Sequence, residues 1–421
     1  MDKVVLAYSG GLDTSVAIKW INERYGMDVI TVTVDVGNAR ELDAVREKAL
    51  RTGAIKAFVR DAREEFVQYF VFPSLQAGAM YEGVYPLATA LARPLIALHL
   101  VQVAREEGAT AVAHGCTGKG NDQVRFDVAV GALAPDLKII APVREWVMTR
   151  EEEIEYANAH NIPVPVTVAS PYSIDENLWG RSIEAGILED PWVEPPEDAF
   201  AWTVNPKHAA GPTELEIVFE QGVPVALDGQ PLGGIELIER LTEIAGGHGI
   251  GRVDHVEDRL VGIKSREVYE APAALVLHKA HAELEKLTLT RDQLRFKSRA
   301  ADEMADLIYN GLWFSAHNLN LMTYVASTQR FVSGAVRVKM YRGNFSVVGR
   351  RSDNSLYSPS LATYGSGDTF EHDAALGFIS IFGLQTRTQA QKQLAGRSPE
   401  FFLKAFRQPG AADQEPAPSG D

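Results

Sequence analysis

A chain of 421 residues is too long for one ordinary hydrophobic core, and 46% apolar with 23% charged residues is the balance of a folded globular protein with two domains. The formal net charge of −15 gives no electrostatic reason to bind nucleic acid or an anionic membrane surface, so neither is expected as a partner, and a small anionic ligand needs a locally positive site. The single cysteine, Cys116, excludes an intrachain disulfide, the N-terminal MDKVVLAY lacks the layout of a signal peptide, and no uncharged apolar run nears the ~18 residues of a membrane span, which together point to the cytoplasm.

In chain order, Lys3–Tyr8, Val29–Val34, Ile55–Val59, Thr110–His114 and Lys138–Ile140 read as short β-branched strands, with amphipathic stretches between most of them. That rhythm predicts a doubly wound parallel sheet, an α/β nucleotide-binding domain covered by helices on both faces. Residues 13–25 carry Val16, Ala17, Trp20 and Ile21 on one helical face, with Gly26 as a stop signal, so the first two strands form a right-handed βαβ unit. After about residue 165 prolines are scattered through weak periodicity, which places a boundary between residues 1–168 and a second, α+β domain over residues 169–384. There Glu214–Phe219 and Val223–Leu227 alternate as a hairpin, and Gly234–Ala245, 272–288 and 292–310 read as helices. Val336, Val338 and Met340 alternate before a turn at Arg342-Gly343-Asn344 and a return through Ser346–Val348. A C-terminal helix over 385–407 carries Leu394, Phe401, Phe402, Leu403 and Phe406, and residues 408–421 read as a disordered tail.

The most informative stretch is Ser9-Gly10-Gly11-Leu12-Asp13-Thr14-Ser15, between the first strand and the first helix. A glycine-containing turn there aims backbone N–H groups at one spot, and the helix N-terminus adds partial positive charge, so phosphate is the natural ligand. The Lys of a kinase-type phosphate loop is missing. On the loop alone, the alternative is a turn in which Asp13, Thr14 or Ser15 caps the helix. A second run, His114-Gly115-Cys116-Thr117-Gly118-Lys119-Gly120-Asn121-Asp122-Gln123-Val124-Arg125-Phe126, again follows a strand and opens a helix, so both loops meet at one sheet edge. Its glycines, amides, hydroxyl and mixed charges suit a ligand of both signs, such as an amino acid; Asp122 and Arg125 also fit an ordinary i,i+3 pair. His114 lacks a metal-ligand cluster and reads as structural, and Cys116 lacks an activating partner.

The SGGxD[ST]S pattern resembles the pyrophosphate loop of the ATP pyrophosphatase superfamily. HGCTGKGNDQVRF together with AYSGGLDTS resembles the argininosuccinate synthase family. Further segments agree in order, among them Thr89-Ala90-Leu91-Ala92-Arg93-Pro94, Ser170–Leu178, Val256–Arg259 and Gly262–Glu270, so that the resemblance spans residues 3 to about 384. It implies a ligase that joins L-citrulline to L-aspartate through a citrullyl-AMP intermediate, with release of AMP and pyrophosphate. ATP is the co-substrate, Mg2+ its companion, and the assembly a homotetramer built through the C-terminal helices. By the same resemblance, Ala7, Tyr8, Ser9, Gly10, Gly11, Leu12, Asp13, Thr14, Ser15, Val34 and Gly115 bind ATP, with Asp13 near the magnesium. Thr117, Asn121 and Asp122 bind aspartate, while Tyr85, Asn121, Arg125, Ser173, Ser182, Glu257 and Tyr269 bind citrulline. Asp13, Asp122 and Arg125 are the expected catalytic residues. One departure is Ala90, where the family pattern leads us to expect Ser. The alternative function is another adenylating amide- or C–N-forming ligase of the superfamily.

Overall fold

The computed structural model describes residues 2–37, 41–146, 148–163, 171–398, 400, 401 and 403. The described residues up to Leu356 pack as one compact unit and those from Tyr357 onward as another. The expected boundary at 168/169, the tail 408–421 and the end of the expected C-terminal helix lie outside the described residues.

Five parallel strands open the first unit: β1 (Lys3–Ala7), β2 (Asp28–Asp35), β3 (Lys56–Asp61), β4 (Ala111–Ala113) and β5 (Lys138–Ile140), in the order β3-β2-β1-β4-β5. The central strands are buried almost end to end, as a strand covered on both faces requires. Adjacent residues of β1 feed opposite layers. Val4 and Leu6 pack with Val16, Ala17 and Ile21 of the helix Leu12–Tyr25, while Val5 joins the core of the helix Ala88–Glu107. The strand order reverses between β1 and β4, and ligands of such sheets bind in the crevice beyond that switch point. Both glycine-containing loops leave from there.

Among the described residues nine antiparallel strands follow: β6 (Ser173–Asn177), β7 (Gly180–Glu184), β8 (Thr213–Glu220), β9 (Val223–Leu227), β10 (Gln230–Pro231), β11 (Arg252–Asp258), β12 (Lys264–Glu270), β13 (Gly334–Tyr341) and β14 (Asn344–Arg351). They form a five-stranded sheet, β10-β9-β8-β13-β14, and a four-stranded sheet, β11-β12-β7-β6. The expected hairpins correspond to β8–β9 and β13–β14. The four-stranded sheet is not legible as strands in the sequence, because SIDEN, GRSIE, RVDHVED and KSREVYE are mostly polar. Among the described residues no helix is long and apolar enough to cross a membrane.

The second unit contains the helices His372–Phe382 and Leu384–Gln393. Where one helix over 385–407 is expected, the chain turns at Gly396, whose φ of 77° a right-handed helix cannot contain. The earlier helix also carries large apolar side chains: Leu376, Phe378, Ile379, Ile381 and Phe382 are all exposed.

Candidate active site at the sheet's switch point

The first loop turns at Gly10, whose φ of +77° favours glycine, and Gly11 occupies the N-cap of the helix Leu12–Tyr25 with no side-chain cap. Asp13, Thr14 and Ser15 therefore leave the first helical amides uncapped. Thr14 and Ser15 hydroxyls donate to the Gly11 carbonyl, the latter at 2.6 Å, and the Gly11 N–H donates to Ser9 Oγ at 3.3 Å. An uncapped N-terminus at a strand end is what an anion-binding turn provides. Lys48 reaches the same turn from the helix Leu42–Thr52, donating to the Gly10 carbonyl at 2.7 Å.

The second loop leaves β4 beside the first. A Cβ on Gly115 would lie 2.9 Å from Thr14 Cγ2, so glycine permits the loops to touch. His114 anchors the turn: the Cys116 N–H donates to its Nδ1 at 3.3 Å, which leaves Nε2 to donate to Asp127 at 2.8 Å. That pattern matches the structural reading of His114. Burial pushes the Cys116 thiol up, away from the thiolate form that a nucleophile needs.

Opposite these loops stands one face of the four-stranded sheet. Side chains alternate along a strand, and the register pairs Ser173 with Glu184, Asp175 with Ser182, Ser182 with Tyr269, and Glu257 with Ser265. Ser173, Asp175, Ser182, Glu184, Ser265, Glu267, Tyr269 and Glu257 thus share a face, and the other face carries the small Ile183 and Val268 core. Two cavities result. One, of about 210 Å³, is lined by Ala7, Tyr8, Ser9, Thr14, Val34 and Gly115 among others. The second, of about 430 Å³, is lined by all the expected aspartate and citrulline residues: Tyr85, Thr117, Asn121, Asp122, Arg125, Ser173, Ser182, Glu257 and Tyr269. Gly10, Gly11, Leu12, Asp13 and Ser15 build the first turn without lining either cavity.

Several of these groups already hold protein partners. Burial opposes ionisation of Asp122, but Arg93 at 2.7 Å and Arg125 at 3.0 Å outweigh it and hold the carboxyl down at about 2. Arg125 also donates through Nε to the Tyr309 carbonyl at 2.8 Å, so part of its expected fork is committed. Tyr269 donates to Glu257 at 2.5 Å. Tyr309, absent from the expected set, completes the wall: Asn121 donates to its hydroxyl at 2.7 Å, and that hydroxyl donates to the other Glu257 oxygen. Its ring stacks on Tyr81, with centroids 3.6 Å apart. Arg259 bridges Glu184 and Glu267 at 2.5 and 2.6 Å; burial and then Glu184 push Glu267 up to about 7. Beside the first loop, Arg150 donates to Asp13 at 2.8 Å, while burial and the neighbouring Asp13 push Glu153 up to about 7.

Comparison with known proteins places this geometry in context. A family model described as arginosuccinate synthase N-terminal HUP domain matches residues 3–163, and one described as arginosuccinate synthase C-terminal domain matches residues 172–389. An argininosuccinate synthase of Dehalococcoides mccartyi is 60% identical over 93% of this chain and 97% of its own. One from Symbiobacterium thermophilum is 59% identical over 93% and 98%, and one from Oceanobacillus iheyensis 57% identical over 92% and 94%.

Proposed function

The chain belongs to the argininosuccinate synthase family, a family of ATP-using ligases that form C–N bonds, and from that premise we propose how its two cavities divide the reaction. ATP occupies the smaller cavity, with its pyrophosphate on the uncapped turn Ser9–Ser15 and its base toward Val34. Citrulline and aspartate share the larger one. The observation that carries this reading is the common wall: Ser9, Arg93, Gly115, Cys116, Asp122 and Asp175 line both cavities, so the α-phosphorus and a ureido oxygen meet there.

In the first step the ureido oxygen bonds to the α-phosphorus as the bond to pyrophosphate breaks. Ureas are poor electrophiles, and the resulting citrullyl-AMP gives the carbon a leaving group. The aspartate amine then displaces AMP. The chain's contribution is in-line positioning and a fixed charge environment. Glu257, held by Tyr269 and Tyr309, takes the ammonium end of citrulline, and the free donors of Arg125 take its carboxylate. Thr117, Asn121 and Asp122 orient aspartate. Magnesium would be held by Asp13 at the start of the first helix, with phosphate and water completing its shell, since this cation commonly takes only one or two carboxylates. When bound it supplies neutralisation of the leaving pyrophosphate. We further propose a cytoplasmic homotetramer in which residues 1–168 hold the nucleotide, residues 169–384 complete the amino-acid sites and the C-terminal segment joins subunits.

The test is citrulline carrying heavy oxygen in its ureido group. Mass spectrometry should find that oxygen in AMP, because it stays on phosphorus when the carbon–oxygen bond breaks. Unlabelled AMP would mean that ATP is cleaved by water or by an enzyme nucleophile. A different amino-acid substrate with the same labelling pattern would support the alternative adenylating ligase.

A further inference from the structure

Arg93 sits on the helix Ala88–Glu107, 15% exposed at its side chain, in the wall common to both cavities. Its Nη2 donates to Asp122 at 2.7 Å and also to Asp175, joining the second loop to β6. Those two contacts are all that a structural tie requires. Its Nε, however, is buried with no hydrogen-bond partner among the described residues. Leaving a guanidinium N–H dry and unpaired is costly, and a purely structural arginine would be expected to spend it on a carbonyl.

The charges of the shared wall are equally informative. Among the described residues its other members are Ser9, Gly115, Cys116 and two carboxylates, Asp122 and Asp175, so Arg93 is the only Lys or Arg of these. Arg125 and Arg259 line the larger cavity alone. A phosphate brought to this wall meets two negative charges and one positive group. Without Arg93 the wall would repel the reacting phosphorus.

We propose that Arg93 is a catalytic residue of the adenylation step: its guanidinium binds the α-phosphoryl oxygens at the junction of the cavities and counters the charge that grows there during attack. This rests on the reaction proposed above. As the ureido oxygen forms its bond to the α-phosphorus, the phosphorus–oxygen bond to pyrophosphate breaks and its electron pair leaves with pyrophosphate. Arg93 exchanges no proton in this. It acts as a fixed cation: Nη2 keeps it in place, and the guanidinium N–H groups outside those two contacts are left for phosphate.

The step can be isolated by citrulline-dependent exchange of labelled pyrophosphate into ATP without aspartate, measured for the unmodified enzyme, Arg93→Lys and Arg93→Ala. Removal of one preorganised donor typically costs ~10²–10³ in rate, so Arg93→Lys should lose exchange on that scale, with melting temperature near the parent's and KM for ATP and citrulline within ~3-fold. Added guanidinium ion should partly restore exchange in Arg93→Ala, which a structural tie would not do. Near-parental exchange in either folded variant, or a loss confined to KM or to melting temperature, overturns the assignment. If the unmodified enzyme itself shows no citrulline-dependent exchange, it is the proposed reaction that fails.

Discussion

At the scale of single residues the site is a set of buried groups that satisfy one another, and Tyr309 shows what each costs to remove. Its hydroxyl accepts from Asn121 and donates to Glu257, both expected ligand groups. Tyr309→Phe strands a buried carboxylate oxygen, a loss of roughly 1–3 kcal/mol. We expect KM for citrulline to rise ~10-fold or more with KM for ATP little changed, measured by steady-state kinetics. Glu153 gives a pH prediction. Its folded carboxyl is pushed up to about 7, above an unfolded carboxyl near 4.5, so the native chain binds the extra proton between those values and stability falls as pH rises through that window. Glu153→Gln lacks that fall. The difference in melting temperature, variant minus parent, should be more favourable at pH 8 than at pH 5 in calorimetry. The two loops Ser9–Ser15 and His114–Phe126 stand out in the sequence because each is a long run of unusual letters, whereas Tyr85, Ser173, Ser182, Glu257 and Tyr269 enter through the resemblance alone. Tyr309 escaped because it ends an ordinary amphipathic helix, and Arg93 because an arginine in a helical run carries no local sign of standing between two cavities.

Among the elements, the parallel sheet was readable from apolar strands with helical intervals. The four-stranded sheet was not, for a physical reason: one of its faces lines the larger cavity with Ser173, Asp175, Ser182, Glu184, Glu257, Glu267 and Tyr269, so the apolar alternation that announces a strand is missing. The opposite face hides a second polar device. Glu270, fully buried, accepts from the N–H groups of Ala201, Trp202 and Thr203, from Thr203 Oγ1 and from Arg181, pinning the 201–203 segment under β12. Glu270→Ala strands Arg181 and three amides, and breaking a buried ion pair costs about 3–5 kcal/mol. Urea denaturation should register a loss of that order. A change within ~1 kcal/mol would mean that water replaces the carboxylate. Because Tyr269 precedes it in β12, the same variant should also weaken citrulline binding.

For the whole molecule, the helix His372–Phe382 exposes five large apolar side chains within seven residues, more than an isolated surface tolerates. If these cover one another between subunits, Phe378→Ser with Ile381→Ser should lower the mass seen by sedimentation at micromolar protein while leaving the parallel-sheet unit folded by circular dichroism. An unchanged mass would assign subunit contacts to another surface. The wall common to the two cavities has a consequence of a different kind. A phosphate at Arg93 draws on the same positive charge that Asp122 shares, so that carboxylate is less fully neutralised even while its hydrogen bond to Nη2 stays, and it attracts an ammonium more strongly. The two compartments therefore exchange free energy through one guanidinium, and thermodynamic linkage makes the exchange reciprocal: the factor by which a bound nucleotide tightens the amino-acid site is the factor by which a bound amino acid tightens the nucleotide site. Titration calorimetry run in both orders of addition should return the same factor, and replacement of Arg93 should bring it toward one.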